Sequence, residues 1–204
     1  MGRKMRRLLV LATSVVLVSG CSLLEQFTQM GTFARCQFRL LSVENQAIAG
    51  IVIAGKRSAR DFQLADGLRL RAALVTATLP LEFTVNVEVQ NPNSGTAAMN
   101  RMEWILLVDG NELVRGSLDK RVEVAANGTA PMPLQVSVDL RKALSGKSLD
   151  AMMTLAFNVA GEGTHPTRVS LKAKPTIMVA GREMVYPDYI TITAEYGGGA
   201  GTPK

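Results

Sequence analysis

One ten-residue segment, residues 81–90, constrains the fold more than any other part of this sequence. It reads LEFTVNVEVQ, so five apolar residues alternate with five polar ones. Because side chains of a strand point alternately to opposite faces, this period of two predicts a strand with one buried face and one solvent-exposed face. The run Asn91-Pro92-Asn93-Ser94-Gly95 follows. Proline has no N–H for a ladder and Asn and Gly accept turn dihedrals, so we assign Asn91, Pro92 and Asn93 to a turn that ends the strand.

Strand and turn signals recur through the rest of the chain. An apolar run over residues 102–108 ends at Asp109-Gly110, a dipeptide typical of tight hairpins. Ala126-Asn127-Gly128-Thr129 predicts a second hairpin loop, between a strand at 121–125 and an alternating strand at 132–140. Pro131 and Pro133 indicate that this last strand lies at a sheet edge. The remaining predicted strands are 38–43, 48–53, 112–115, 169–174, 177–179 and 190–194, with a turn near 180–181.

Two segments indicate helices instead. Residues 66–77 are rich in leucine and alanine, and Asp66 is a candidate cap. Residues 148–160 have apolar residues near helical spacing with Ser148 as a candidate cap, although a buried strand over 154–159 stays an alternative. Many short antiparallel strands with one or two short helices predict a mainly β protein, a β-sandwich rather than a parallel α/β fold.

The N-terminus carries a targeting signal. Residues 1–7 are basic and residues 8–18 form an apolar run of eleven residues, whereas a membrane span needs about 20. The next residues, Val-Ser-Gly-Cys ending at Cys21, resemble the lipobox of bacterial lipoproteins. The resemblance implies a signal peptide over 1–20, acylation of Cys21 and firm membrane attachment. A plain signal peptide with a chance cysteine is the alternative.

Sorting and domain bounds follow from this assignment. Residue 22 is Ser rather than Asp, which by analogy with enterobacterial sorting predicts an outer-membrane lipoprotein facing the periplasm. Residues 21–35 would form a lipidated tether, residues 36–196 one domain, and the Gly-rich residues 197–204 a disordered tail. Cys36 is the one cysteine besides Cys21, so it would be either a small buried apolar residue or the site of an intermolecular disulfide.

The charges argue against a nucleic-acid partner. Residues 1–20 carry +4 of the formal net charge of +6, which leaves +2 for the rest. Basic residues nevertheless concentrate in the first third of the domain. They include Arg69 and Arg71, and the ones we regard as candidates for contact with anionic lipid headgroups are Arg35, Arg39, Lys56, Arg57 and Arg60. An ordinary charged surface is the alternative.

The sequence offers little material for catalysis or for a cofactor. His165, the only histidine, follows Gly161-Glu162-Gly163 in a loop-like run, and the sequence contains neither a nucleotide-binding motif nor a C-x-x-C pair. Glu82 and Glu88 would lie about 20 Å apart along one strand, too far to cooperate. We therefore expect no enzymatic activity, no metal and no cofactor.

Several segments together resemble a known family. VNVEVQNPN (85–93) precedes a strand with Trp104 that ends in VDG (108–110), and then come VRGSL (114–118), V-x-V-x-A-N-G-T (122–129) and PLQVSVDL (133–140). This order is similar to the late-embryogenesis-abundant (LEA) type 2 family, also called the water-stress-and-hypersensitive-response domain, over roughly residues 70–140.

The resemblance has consequences for fold and function. It implies an immunoglobulin- or fibronectin-III-like sandwich with a helix at one side, with Trp104 in its core. It further implies a link to desiccation or other stress, and no enzymatic activity. The resulting hypothesis is a non-enzymatic, membrane-anchored envelope lipoprotein that is stress-protective or an interaction module, acting on the membrane or an envelope protein partner. The alternative is a carrier with an apolar pocket for a lipid or small ligand; an envelope hydrolase would lack its acid–base residues.

Overall fold

The computed structural model describes Phe33 and residues 35–163, 166–179 and 182–196. Eleven strands and three α-helices occur in these residues. The strands are β1 (Gln37–Ile48), β2 (Ile51–Val52), β3 (Pro80–Gln90), β4 (Ala97–Met99), β5 (Arg101–Val108), β6 (Asn111–Leu118), β7 (Val122–Val124), β8 (Thr129–Asp139), β9 (Thr167–Val179), β10 (Arg182–Val185) and β11 (Ile190–Tyr196). The helices are α1 (Leu64–Val75), α2 (Leu140–Ala143) and α3 (Leu149–Val159), and a short 3₁₀ helix spans Ala59–Asp61.

The first sheet has the strand order β2-β1-β3-β8 and is antiparallel throughout. The predicted alternating strand is β3, whose odd-numbered residues from Leu81 to Val89 are buried while Glu82 and Gln90 are exposed. Strand β8 lies at one edge of this sheet, as its prolines predict. Pro131 lies opposite Glu88 on β3. Because β8 has a neighbouring strand on one side only, the missing proline N–H groups do not disrupt hydrogen bonds to a second strand.

The first predicted strands needed correction. Residues 38–43 and 48–53 do not form two separate strands, because β1 continues through to Ile48 with two register shifts against β3. The chain then reverses at Ala49-Gly50, where φ is positive at both residues (50° and 74°). That tight turn leaves only the two-residue β2 after it.

The second sheet has the order β10-β9-β5-β6, and β11 also pairs with β9. Asp109 and Gly110 form the two-residue connection between β5 and β6 with φ of 50° and 82°. Two left-handed residues in succession give the turn whose twist matches that of the flanking strands.

A third, two-stranded sheet corrects the hairpin predicted at residues 126–129. Strand β7 pairs with β4, with Ala97 opposite Val124, whereas β8 pairs with β3. The loop through Asn127 and Gly128 therefore carries the chain from the small sheet to the edge of the first sheet.

The N-termini of the helices confirm one predicted cap and contradict the other. Helix α3 is capped by Ser148, whose Oγ accepts a hydrogen bond from the Ala151 N–H at 3.2 Å, and the alternative strand over 154–159 is wrong. The prediction of Asp66 as the cap of α1 is also wrong. Gln63 is the N-cap, and Asp66, three residues further on, accepts a hydrogen bond from the Gln63 N–H at 3.1 Å.

Both main sheets and α3 share one hydrophobic core, so the predicted β-sandwich is confirmed. Helix α3 contributes Met152, Met153 and Phe157 to it. Trp104 is buried and lies against Gly116, its cross-strand partner on β6. A methyl group on Gly116 would overlap the six-membered ring of Trp104, so only glycine fits there.

Candidate functional site

Asn91 is the most extensively bonded polar side chain in the described chain, and it is fully buried. Its Nδ2 donates to the carbonyl oxygens of Gly95 at 2.8 Å and of Val124 and Ala125 at 3.0 Å each. Its Oδ1 accepts from the backbone N–H and the side-chain amide of Asn93, at 3.0 and 2.7 Å. One carboxamide thus shares two N–H donors among three carbonyl groups and closes its own turn.

Backbone hydrogen bonds join the same two loops. The Asn91 N–H donates to the Gly128 oxygen at 2.8 Å, and the Asn127 N–H donates to the Asn93 oxygen at 3.0 Å. Asn127 has a positive φ of 52°. The structure therefore brings the Asn91-Pro92-Asn93 turn and the Asn127-Gly128 turn into one junction, where Pro92 itself is exposed. This junction, which we call the clasp, joins the two turns through hydrogen bonds to their backbone groups.

The Asp109-Gly110 turn lies elsewhere and contacts a third part of the chain. The Asp109 N–H donates to the Arg168 oxygen at 2.8 Å, and the Arg168 N–H donates back to Asp109 Oδ1 at 2.9 Å. This reciprocal pair fixes the β5–β6 turn to the beginning of β9.

The five candidate membrane-facing cations do not form one patch. Arg39 lies opposite Glu88 near the start of β1, whereas the chain that carries Lys56, Arg57 and Arg60 follows the other end of that strand. Nine residues of strand from Arg39 to Ile48 correspond to about 30 Å. Arg39 is therefore separated by the length of β1 from the segment that carries Lys56, Arg57 and Arg60.

Three of these cations have defined partners within the described chain. Arg39 pairs with Glu88 at 2.7 Å and Arg57 with Glu162 at 3.5 Å, but the two arginine side chains remain 71% and 82% exposed. Lys56 is the most enclosed, since its Nζ lies 3.6 Å from Asp66 and 5.3 Å from the centre of the Phe62 ring. Lys56 thus holds the loop before α1 in place.

The outward face of α1 was missed by the sequence reasoning. Leu64, Leu68 and Val75 are 85%, 62% and 79% exposed, although the sequence treats the apolar residues of this helix as one set. Plotting the helix at about 100° per residue separates these residues from Leu70 and Ala73, which pack against the core. That plot separates the two faces from the sequence alone, and the tertiary contacts show which of them is exposed.

Several predicted features lie outside the described residues: the signal peptide, Cys21, most of the tether, His165 and the Gly-rich tail. Among the residues that the structure describes, no group of three or more His, Cys, Asp or Glu side chains could hold a metal ion. No helix in that part of the chain is long and apolar enough to cross a membrane. Cys36 is buried, and burial raises the pKa of its thiol to about 11.

A surface cleft of about 550 Å³ lies between the β5–β6 turn and the loop that joins α2 to α3. Its lining mixes apolar and charged residues: Val108, Leu113, Leu144 and Leu155, with Asp109, Glu112 and Lys147 among the others. Between the sheets, by contrast, large side chains such as Leu81, Met102 and Leu134 fill the interior.

Comparison with known proteins identifies the class. Residues 86–185 match the model of the family described as late embryogenesis abundant protein, the LEA type 2 family. The matched span runs from β3 to β10, further toward the C-terminus than the resemblance over 70–140. This match confirms the resemblance to the LEA type 2 family.

The solved structures add weaker likenesses. They include a crystal structure of a protein from Archaeoglobus fulgidus (14% identity, TM-score 0.36, 58% of this chain and 85% of that chain). A solution structure of an Arabidopsis thaliana protein shares 17% identity at a TM-score of 0.37, over 57% and 70% of the two chains. A solution structure named as a late embryogenesis abundant protein shares 15% identity at a TM-score of 0.36, over 92% and 84%. No curated protein matches the chain. These TM-scores are too low to support an argument of their own.

Proposed function

We propose that this protein is a lipid-anchored, non-enzymatic LEA domain of the bacterial envelope that protects under stress through contacts with membrane or protein. The observation that carries the proposal is the Val-Ser-Gly-Cys sequence ending at Cys21, which follows an apolar run and precedes a domain of this family. Several acyl chains on one cysteine hold a protein firmly at a bilayer, because each buried CH₂ contributes about 0.8 kcal/mol. The domain would then act where it is anchored, at the periplasmic face of the outer membrane.

Two features of the chain support a role in binding rather than in catalysis. The one histidine in the sequence leaves a histidine-based active site without a second imidazole. The Asn91 side chain makes its hydrogen bonds to backbone carbonyl groups inside the protein, so its amide N–H groups are not available to a substrate. The exposed face of α1 and the loops of the domain are available for contacts with other molecules.

The anchor is tested with the full chain expressed in a bacterium and its two cysteine variants. We expect the wild-type protein to enter the detergent phase on phase separation, with a mature mass that begins at acylated Cys21. Cys21→Ala should enter the aqueous phase, whereas the matched control Cys36→Ala should behave as wild type. A wild-type protein that is recovered unacylated from the aqueous phase would exclude the lipoprotein assignment.

The protective role is tested by survival of a deletion strain after drying. Complementation with the wild-type gene should restore survival, and Cys21→Ala should restore it poorly because the domain is then released from the membrane. Equal survival of the deletion and parent strains after drying and after osmotic stress would remove the stress assignment while leaving the anchor intact.

A carrier function is the second candidate, and the 550 Å³ cleft beside Leu113 and Leu155 is the observation that favours it. Ligand pockets of this size are ordinary for small apolar molecules. Native mass spectrometry of the purified full chain would reveal a retained lipid or small ligand. A mass equal to that of the acylated polypeptide alone would dismiss this candidate.

A further inference from the structure

Helix α1 has two apolar faces, and the domain covers only one of them. Leu70 and Ala73 pack against the core, whereas Leu64, Leu68 and Val75 are 85%, 62% and 79% exposed. At about 100° per residue, the three exposed side chains lie within about 40° of one another around the helix axis. They share one side of the helix, which we call the α1 stripe, and Arg71 lies on that side between Leu68 and Val75.

Two arginines border the α1 stripe. Arg71 projects about 20° to one side of Leu64, and Arg69 projects about 100° beyond Leu68 on the other side. Both arginines are exposed. A long arginine side chain can lay its methylene groups along an apolar surface while its guanidinium reaches a phosphate. Exposed apolar side chains with cations on the same helix are the pattern of a helix that lies in the plane of a membrane interface.

The surrounding charges favour an anionic surface. Residues 55–77 contain five Lys and Arg residues and two Asp residues. Both carboxylates are occupied inside the protein: Asp61 accepts from the backbone N–H groups of Arg57 and Ser58 at 2.9 Å each, and Asp66 accepts from that of Gln63 at 3.1 Å. With Glu162 paired to Arg57, five cations meet three carboxylates, so this region keeps a net charge of +2.

We propose that the α1 stripe docks on an anionic phospholipid bilayer, with Leu64, Leu68 and Val75 at the acyl boundary and Arg69 and Arg71 at the lipid phosphates. The inference deepens the proposed function and rests on its membrane location. It concerns a surface other than the candidate cations Arg35, Arg39, Lys56, Arg57 and Arg60, one that the folded chain presents on a single helix.

The length of the N-terminal segment is compatible with simultaneous anchoring and docking. Phe33 comes twelve positions after Cys21, and twelve extended residues reach about 40 Å. The Cys36 N–H bonds to the Phe33 oxygen at 3.1 Å at the start of β1, and α1 follows the other end of that strand, about 30 Å away. An acylated Cys21 and the α1 stripe can therefore reach the same bilayer.

The test uses the mature chain from residue 21 with Cys21→Ala, so that neither an acyl group nor the basic, apolar residues 1–20 contribute. Binding is measured by sedimentation with vesicles of phosphatidylcholine with or without phosphatidylglycerol. Adding Leu64→Ser and Leu68→Ser should weaken binding to anionic vesicles at least tenfold, since burying even part of two leucines contributes that much. The matched control is Val52→Ser, which replaces a 61% exposed valine on β2 and should change binding less than twofold.

The arginines are tested by Arg69→Gln with Arg71→Gln. A loss of about fivefold per arginine is expected on vesicles with phosphatidylglycerol, with no loss on pure phosphatidylcholine. The charge-matched control pair, Lys120→Gln with Arg182→Gln, should bind as the parent chain does. Leu68→Trp should in addition gain emission that brominated lipids quench, whereas Val52→Trp should not.

Three results would overturn the inference. Binding that is unchanged by the two serine substitutions would place the membrane contact elsewhere. Serine variants that convert a dimer to a monomer in sedimentation velocity, with vesicle binding intact, would make the stripe an interface between two copies. Equal binding to neutral and anionic vesicles would remove the role of the arginines. Since acylation is measured separately on wild-type protein, failure of the anchor and failure of the α1 stripe are distinguishable.

Discussion

Replacing Asn91 with alanine tests how strongly one buried side chain holds the two loops together. Asn91→Ala removes two N–H donors, which serve three carbonyl oxygens, and two accepted hydrogen bonds from Asn93. At about 1 kcal/mol for each of four hydrogen bonds, and with buried carbonyl groups left unsatisfied, the expected loss is about 3–5 kcal/mol. That is a large share of the roughly 5–15 kcal/mol that stabilises a typical domain.

Urea unfolding followed by the emission of Trp104 gives the measurement, because this single tryptophan is buried in the core. The matched comparison is Asn93→Ala, which removes a side-chain bond to Asn91 Oδ1 and should also lower stability, by about 1–2 kcal/mol. The reasoning is refuted if Asn91→Ala costs under 1 kcal/mol, or if the Asn93 change is the more damaging one.

Three further predictions concern packing and ionisation. Gly116→Ala should displace the indole of the single tryptophan, red-shift its emission and cost about 1–3 kcal/mol, whereas Gly67→Ala, where a Cβ meets nothing within 4 Å, should stabilise α1 by up to about 1 kcal/mol. Backbone N–H donors hold the pKa of the Asp139 carboxyl below its usual range, so its contribution to stability is present above the unfolded pKa of about 3.9 and is lost as the pH falls through the folded value. The stability difference between wild type and Asp139→Asn, from urea melts, should accordingly be widest at neutral pH and close in acid; a difference independent of pH would contradict this. With a pKa of about 11, the Cys36 thiol should react with a disulfide reagent at pH 8 far more slowly in the folded Cys21→Ala chain than in urea, and equal rates would show that it is not buried.

The features that could be predicted from the sequence are those set by local chemistry. The alternation over 81–90 fixes which face of β3 is buried, because its period of two is independent of neighbouring strands. Asp109-Gly110 specifies its turn through backbone conformations that few other residues accept. Pro131 and Pro133 disfavour an inner position because neither can donate to a second ladder. Each signal is contained in a few consecutive residues.

Pairings between distant segments could not be predicted in this way. Strand β7 follows the signals of a hairpin with β8, but it pairs with β4, and the Asn91 carboxamide binds the carbonyl groups of Val124 and Ala125 beside that pairing. These residues are 33 and 34 positions away from Asn91. A turn residue and a long-range clasp have the same sequence signature, because both use a short side chain with a donor and an acceptor.

The exposure of the α1 stripe is a second feature that could not be predicted from the sequence, because it depends on which side of the helix meets the core. A helix with apolar residues on two faces is ordinarily expected to be enclosed on both, because burial is the usual reason for apolar residues in a helix. In this chain only the face with Leu70 and Ala73 meets the core, and the face with Leu64 and Leu68 meets solvent. Period and composition are identical for an enclosed face and for one reserved for another surface, so only the tertiary contacts distinguish them. The exposed apolar face of α1 can therefore be identified as a candidate docking surface only once the sandwich has fixed which side of the helix meets solvent.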